Sequence, residues 1–531
     1  MGWDGHKSRG RDLRGRSGHS SVSSLLLGVD IGTASSKGVL VRDDGTVVAT
    51  ASRAHEVSMP HPGWVEHDAQ AVWWADFTAI SQELTAAAPE AIAAVGVSGI
   101  GPCLLPVDGE DRPLRPAILY GVDTRAQIQI EELNRELGEQ TILERCGSVL
   151  TSQAIGPKVA WLRANEPAIW ASTRRFLMAS SFLVRRLTGC YILDHHSASQ
   201  CTPMYDPVQH RWIQEWTDLI APGLELPELR WPSDVVGEVH TTAADQTGIP
   251  VGTPVVAGTI DAWAEATSVG VTAPGDVMLM YGTTMFLVEV LDRARRSPAL
   301  WGTVGTFPGT YNFAAGMATS GAITDWIRKL TGESGFDCLV AEAHQSPAGA
   351  HGLLMLPYFA GERTPLFDPE ARGVLIGLSL RHNRGDMYRA ALEATAYGVR
   401  HNLEAMRDAG GQYRRLVAVG GGTKGGLWTQ IVSDVLNAPQ ELPRQTIGAC
   451  LGDALLAAIG IGQSPDMLHW NPIETTVQPR TTMAAAYDRY YDLYRQLYPR
   501  TKEIAHALAR EQHLEDVATP EPSIPSHTGG S

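Results

Sequence analysis

Apolar residues first gather at Leu25-Leu26-Leu27-Gly28-Val29, break at the more polar stretch Asp30-Ile31-Gly32-Thr33-Ala34-Ser35-Ser36-Lys37, and return as Gly38-Val39-Leu40-Val41. An apolar run bounded by a Gly-bearing polar turn reads as a strand, a hairpin and a returning strand. Asp43-Asp44-Gly45 marks another turn and Thr46-Val47-Val48-Ala49 a third strand, so antiparallel strands open the fold. Beyond them, helical stretches over 68–87 and 123–137 alternate with short strands at 94–98 and 255–258, the pattern of mixed α/β layers.

The opening plan recurs. Asp276-Val277-Met278-Leu279-Met280-Tyr281 leads into Gly282-Thr283-Thr284 and then into Met285-Phe286-Leu287-Val288, again an apolar strand, a Gly-Thr turn and an apolar strand. Two such hairpins predict a duplicated architecture in which each half offers one Gly-Thr turn to a shared cleft, where a phosphate chain can bridge them. Ala273-Pro274-Gly275 supplies the junction, dividing 25–272 from 273–510. Residues 1–24 read as a disordered leader, and the polar, Pro-rich stretch 511–531 as a disordered tail.

At 531 residues the chain exceeds what one growing core serves, in keeping with two domains. A net charge of -15 disfavours nucleic acid and anionic lipid as partners and leaves a small molecule as the simpler ligand. The six cysteines are scattered, with no C-x-x-C pair and no His cluster at zinc spacing, which fits reduced thiols in a cytoplasmic protein. No apolar run approaches the ~18 residues of a membrane span, and the leader lacks the apolar segment of a signal peptide.

Three places carry candidate chemistry. At the first hairpin, Gly32 lets backbone N–H groups approach phosphate oxygens and the Thr33 hydroxyl adds a donor, while Asp30 stands where a carboxylate holds Mg or simply caps the turn. At Gly258-Thr259-Ile260-Asp261, directly after an apolar strand, Asp261 suits a base that orients an alcohol and takes its proton during phosphoryl transfer; the bland alternative is a helix N-cap. At Val419-Gly420-Gly421-Gly422-Thr423-Lys424, a strand runs through glycines into a helix carrying Trp428 and Gln430, a place for backbone to approach adenine, ribose or phosphate, or else a flexible turn. It is neither a Walker loop nor a dinucleotide fingerprint.

Together and in this order, these motifs resemble the FGGY family of carbohydrate kinases, in the actin-like ATPase superfamily, over roughly 25–497. The resemblance implies two actin-like (ribonuclease H-like) α/β domains, each with a mixed sheet, hinged around a central cleft, the first binding sugar and the second ATP. It implies Mg2+ near Asp30, Asp261 as catalytic base, and ATP held by Gly32, Thr33, Lys37, Gly282, Thr283, Thr284, Gly420, Gly421, Gly422, Thr423, Lys424 and Gln430. The sugar falls to Ile100, Gly101, Tyr120, Asp123, Arg125 and Asp261, with Asp123 accepting from sugar hydroxyls and Arg125 orienting it; for Arg125 a surface partner remains open. Xylulose-phosphorylating members carry a Gln-Met-His-Gly-like segment where this chain has Gly99-Ile100-Gly101-Pro102-Cys103, and glycerol kinases an Arg-Glu pair, also absent.

The expected activity is ATP-dependent phosphorylation of a ketopentose such as xylulose, with erythritol, ribulose or another polyol behind it. A nucleotide switch read by a protein partner and a sugar sensor without catalysis are the competing classes. The expected partners are a small sugar or polyol and ATP, with no nucleic acid and no membrane, and a homodimer left open. His195-His196 reads as part of a loop, 194–199, and its neighbours on the backbone point apart, against a shared metal. Trp73, Trp74, Trp161 and Trp216 read as packing residues.

Overall fold

Each half of the chain builds one seven-stranded sheet on the same plan. The computed structural model describes the backbone of residues 25–88 and 90–518, with side chains to residue 512. In the first sheet Leu25–Ile31, buried along its whole length, runs parallel to Ile92–Gly99 and antiparallel to Ser35–Arg42, which pairs in turn with Val47–Ala54. In the second, Asp276–Tyr281 runs parallel to Arg415–Val419 and antiparallel to Met285–Leu291, which pairs with Tyr311–Met317. Both predicted hairpins are therefore present, and each sits at the C-terminal end of its sheet's central strand, where α/β folds place ligands. Strands buried on both faces explain why these runs read as continuously apolar rather than alternating.

Two helices cross between the halves. Asp261–Ser268 belongs to the first half by sequence, yet Ile260, Trp263 and Ala266 pack on Met278, Val288 and Val419 of the second sheet. Ala449–Gly460 comes from the second half, yet Cys450, Leu451 and Ala454 pack on Leu26, Val39 and Ala94 of the first. The two helices meet at Gly452, where a Cβ would collide with the Ala264 carbonyl, so only glycine admits this approach. The halves are thus joined by a pair of exchanged helices, each roofing the other's sheet.

Several expectations change in detail. The second predicted helix starts at Gln127 rather than near 123, because the Asp123 carboxylate is spent elsewhere. Residues 194–199 are not a loop: Asp194 caps a short buried helix, His195–Ser199, by accepting from Ser197 N at 3.0 Å. The final helix, Ala484–Ala518, runs through the first eight residues of the expected tail; the leader 1–24 and the stretch 519–531 lie outside the described residues. Trp73, Trp74, Trp161 and Trp216 are all buried in the first half.

Candidate active site

The first hairpin is braced from outside. Gly32 N donates to Ser35 O at 3.2 Å, and the Gly32 carbonyl accepts from His55 Nε2 at 3.1 Å. The other ring nitrogen of His55 lies 2.8 Å from the Asp76 carboxylate, which also accepts from Ser36 Oγ at 2.7 Å. The Gly32 carbonyl can only accept, so His55 Nε2 is the donor to it. Nothing in the local motif pointed to His55 or Asp76; only the pairing of Ser35 with Ala54, next to His55, brings them beneath the turn. Lys37 stands opposite Asp30 in the same hairpin.

The second hairpin opens on a cavity of about 970 Å³, the scale of a nucleotide pocket. Gly282, Thr283, Gly421, Gly422 and Lys424 line one side of it, and Trp326, Phe336 and Tyr388 another. The Gly282 carbonyl accepts from Gly321 N at 3.0 Å and the Thr283 carbonyl from Ala322 N at 3.1 Å, so the turn is anchored to the start of the helix Gly321–Leu330. Gly420, at φ 92°, takes a conformation that disfavours side chains and lays the glycine turn against Tyr281. Thr284 stays exposed at the hairpin tip outside the lining, and the Thr423 hydroxyl turns back to Gly420 O at 2.8 Å. Gln430 is not brought into this cavity: its amide donates to Asp434 and to the Gln478 carbonyl, both at 2.9 Å.

Carboxylates converge beside the first hairpin. Asp261 is the first residue of its helix and accepts from Ala262 N at 2.7 Å. Enclosure between the halves, then the charge of Asp30, pushes its pKa well above the carboxylate range. Burial raises Asp30 to about 6 against the Ser98 hydrogen bond and Lys37, and burial with Asp30 raises Glu265 to about 7 against Lys37. Asp453, fully buried, is pushed far up by burial and by Asp30. Ser98 Oγ lies 3.0 Å from Asp30 Oδ1 and 2.8 Å from Asp453 Oδ2. Ser98 has one hydroxyl proton for the two carboxylates it lies between, and so ties Asp30 to Asp453 across the halves. Neither Ser98 nor Asp453 carried a sequence signal.

This donor set suits a hard cation. Its groups are carboxylate oxygens, and the second oxygen of Asp30 faces the Gly32 turn. Among the described residues no group of three or more potential ligands forms a protein cage. Mg2+ asks for none, since it is held by one or two carboxylates, phosphate oxygens and water.

On the sugar side, Tyr120 Oη sits 3.5 Å from Thr33 Oγ1, and Gly121 N donates to Gln153 Oε1 at 3.1 Å. Asp123 and Arg125 are not presented to the cleft. Asp123 accepts from Val65 N and from Arg125 Nη2, both at 2.7 Å, while Arg125 also pairs with Glu66 at 2.8 Å. The Arg125 guanidinium packs 4.0 Å from the Trp64 ring centre and 5.0 Å from that of Trp161. The pair is a buried brace under the Tyr120–Gly121 turn. Ile100 lies in the core of the first half, and Gly101 rests on Ile260, next to Asp261.

The two histidines do point apart. His195 meets Tyr205 Oη at 2.8 Å, whereas His196 packs at a tilt against Trp263 with 3.8 Å between ring centres. Burial lowers the His196 pKa to about 3, so the ring is neutral. Its Nδ1 donates to Val304 O at 2.7 Å, and Nε2 accepts from Gln200 Nε2 at 3.0 Å. Gln200 Oε1 accepts from Gln153 Nε2 at 3.2 Å, which completes one polarised chain from Gly121 to the second half.

Comparison with known proteins agrees with this geometry. Residues 25–268 match the N-terminal domain, and residues 277–461 the C-terminal domain, of the FGGY family of carbohydrate kinases. The crystal structure of xylulose kinase from Rhodospirillum rubrum superposes with a TM-score of 0.85 at 33% identity, over 91% of this chain and 100% of that one. The xylulose kinase of Escherichia coli K12 is 28% identical over 89% of this chain and 98% of its own length. A glycerol kinase of Corynebacterium efficiens is likewise 28% identical, over 91% and 99%.

Proposed function

Because the chain belongs to the FGGY family of carbohydrate kinases, we propose that it transfers the γ-phosphoryl group of ATP to a hydroxyl of a xylulose-like ketopentose, with Asp261 as general base. The observation that carries this reading is Asp261 at the start of its helix beside Asp30, where burial first, and then the charges of Asp30 and Glu265, raise its proton affinity. A base whose pKa rises toward the working pH is better matched to an alcohol proton than a free aspartate.

The cavity beside Thr283, Gly421 and Lys424 takes the nucleotide, with Trp326 and Phe336 offering apolar faces to the base. The phosphates then reach toward Gly32, Thr33 and Lys37. Asp30 holds the accompanying Mg2+, which supplies charge neutralisation at the phosphates. The acceptor sugar lies by Tyr120 and Gly101, its reacting hydroxyl at Asp261. As the hydroxyl oxygen bonds to the γ-phosphorus, the bond from that phosphorus to the bridging oxygen breaks, ADP leaves with the electron pair, and the hydroxyl proton passes to the Asp261 carboxylate. Closure about the exchanged helices excludes water, the competing acceptor. The choice of a ketopentose rests on the xylulose kinases among the relatives.

The test is ADP release with ATP and Mg2+ over a panel of ketoses, aldoses and polyols. The reading expects release stimulated by xylulose or a close ketopentose. Release independent of sugar, or stimulated only by a different class, contradicts it.

A further inference from the structure

We propose that Arg363, contributed by the ATP-binding half, contacts the acceptor sugar across the cleft and reads a pair of neighbouring oxygens remote from the phosphorylated hydroxyl. This rests on the kinase reading and extends it to a specificity-determining residue.

The loop that carries Arg363 is pinned at almost every backbone group. Glu362 N and Asp368 N exchange hydrogen bonds with each other's carbonyls at 2.8 and 2.9 Å. Thr364 N donates to Gly316 O at 3.1 Å, Gly316 N donates to Thr364 Oγ1 at 2.7 Å, and that hydroxyl lies 2.7 Å from Asn402 Oδ1. Glu362, the adjacent carboxylate, accepts from Ala318 N and Arg363 N at 2.9 and 2.8 Å. It forms no ion pair with the guanidinium.

The Arg363 head group is the exception to this order. It lies 5.0 Å from the ring centre of Trp301, and among the described residues it has neither an ion pair nor a side-chain hydrogen bond. A guanidinium carries five N–H donors, and those of Arg363, which is only partly buried, stay open to a ligand that supplies acceptors. Its position says which ligand. A Cβ placed on Gly121, in the sugar segment of the opposite half, would stand 3.3 Å from one terminal nitrogen of Arg363. Tyr120 feels the charges of both Arg363 and Asp261, so all three groups border one space. That space is where the acceptor must lie for Asp261 to reach its hydroxyl.

Arg363 also differs from Arg125, whose guanidinium is consumed by Asp123 and Glu66. The planar fork of an arginine pairs with two oxygens at once, which suits a vicinal diol or a hydroxyketone and not a lone hydroxyl. A contact made from the second half to a sugar held by the first also rewards closure of the cleft.

The experiment compares wild type, Arg363→Ala and Arg363→Lys with xylulose and 1-deoxyxylulose, reading the KM of each sugar, the KM of ATP and the sugar-induced change in tryptophan fluorescence without nucleotide. The proposal expects Arg363→Ala to raise the KM of xylulose by about tenfold or more while the KM of ATP stays within about twofold, with Lys a poor replacement. It also expects removal of a contacted oxygen, at C1 or in the matching 3-deoxy analogue, to cost the variant less than it costs wild type. An unchanged xylulose KM, or equal rises for xylulose and ATP, overturns the proposal while leaving the kinase intact. A wild type that no sugar stimulates removes the kinase reading and this inference together. A melting temperature shared by all three proteins separates lost contact from lost fold.

Discussion

The Ser98 hydroxyl, on a strand of the first half, lies 2.8 Å from the Asp453 carboxylate on a helix of the second. Through Ser98, a buried carboxyl from one half of the molecule fixes Asp30, the candidate cation ligand, in the other. Asp453→Asn preserves a hydrogen-bonding partner for Ser98 and should keep kcat within about twofold. Asp453→Ala removes it, and is expected to cost about 1–3 kcal/mol of stability and to weaken the response of turnover to Mg2+. Equal Mg2+ titrations for wild type and the alanine variant would remove Asp453 from this role.

His55 donates to the Gly32 carbonyl and ties the first hairpin to Asp76. His55→Ala should loosen that turn and raise the KM of ATP several-fold, with a smaller change in the KM of the sugar. Initial-rate measurements varying each substrate decide this, and a purely sugar-side effect contradicts it.

Arg125→Ala is expected to act on folding. Removing the guanidinium leaves Asp123 buried without its cation, while Glu66 keeps Arg115; breaking a buried pair in this way costs about 3–5 kcal/mol. Urea unfolding should show a lower midpoint. A variant as stable as wild type but impaired for sugar would return Arg125 to the substrate.

Burial raises Glu362 to about 8 and Asp194 to about 6. A carboxyl raised in the fold contributes stability that is fully present below its unfolded pKa, about 4, and lost as pH rises through the folded value. The melting temperature of the ligand-free protein should therefore fall between about pH 4 and 8. Glu362→Gln keeps an acceptor for Ala318 N and Arg363 N and should flatten the upper part of that fall; an unaltered slope contradicts the assignment.

The two hairpins were legible because a Gly-Thr turn between apolar runs is a local pattern, and their repetition gave the two-domain plan. Asp261 was legible as a strand-to-helix junction for the same reason. Ser98 and Asp453 were not, since their contact depends on the helix Ala449–Gly460 crossing onto the other half's sheet. Asp123 and Arg125 belong to a readable motif, but their direction is set by Glu66, Trp64 and Trp161, which no local spacing reveals. The final helix overruns the expected tail because residues 511–518 contain no Gly or Pro to stop it, and the Pro-rich composition begins only at Pro520.

The most direct measurement is single-turnover phosphoryl transfer by Asp261→Asn beside wild type, with ATP and sugar both saturating and their binding measured separately. Loss of a base that also positions the hydroxyl should slow the chemical step by about 10²–10⁴-fold while nucleotide and sugar affinities stay near wild type. A normal single-turnover rate, or a defect explained wholly by lost binding, would contradict the role of Asp261 and the account built on it.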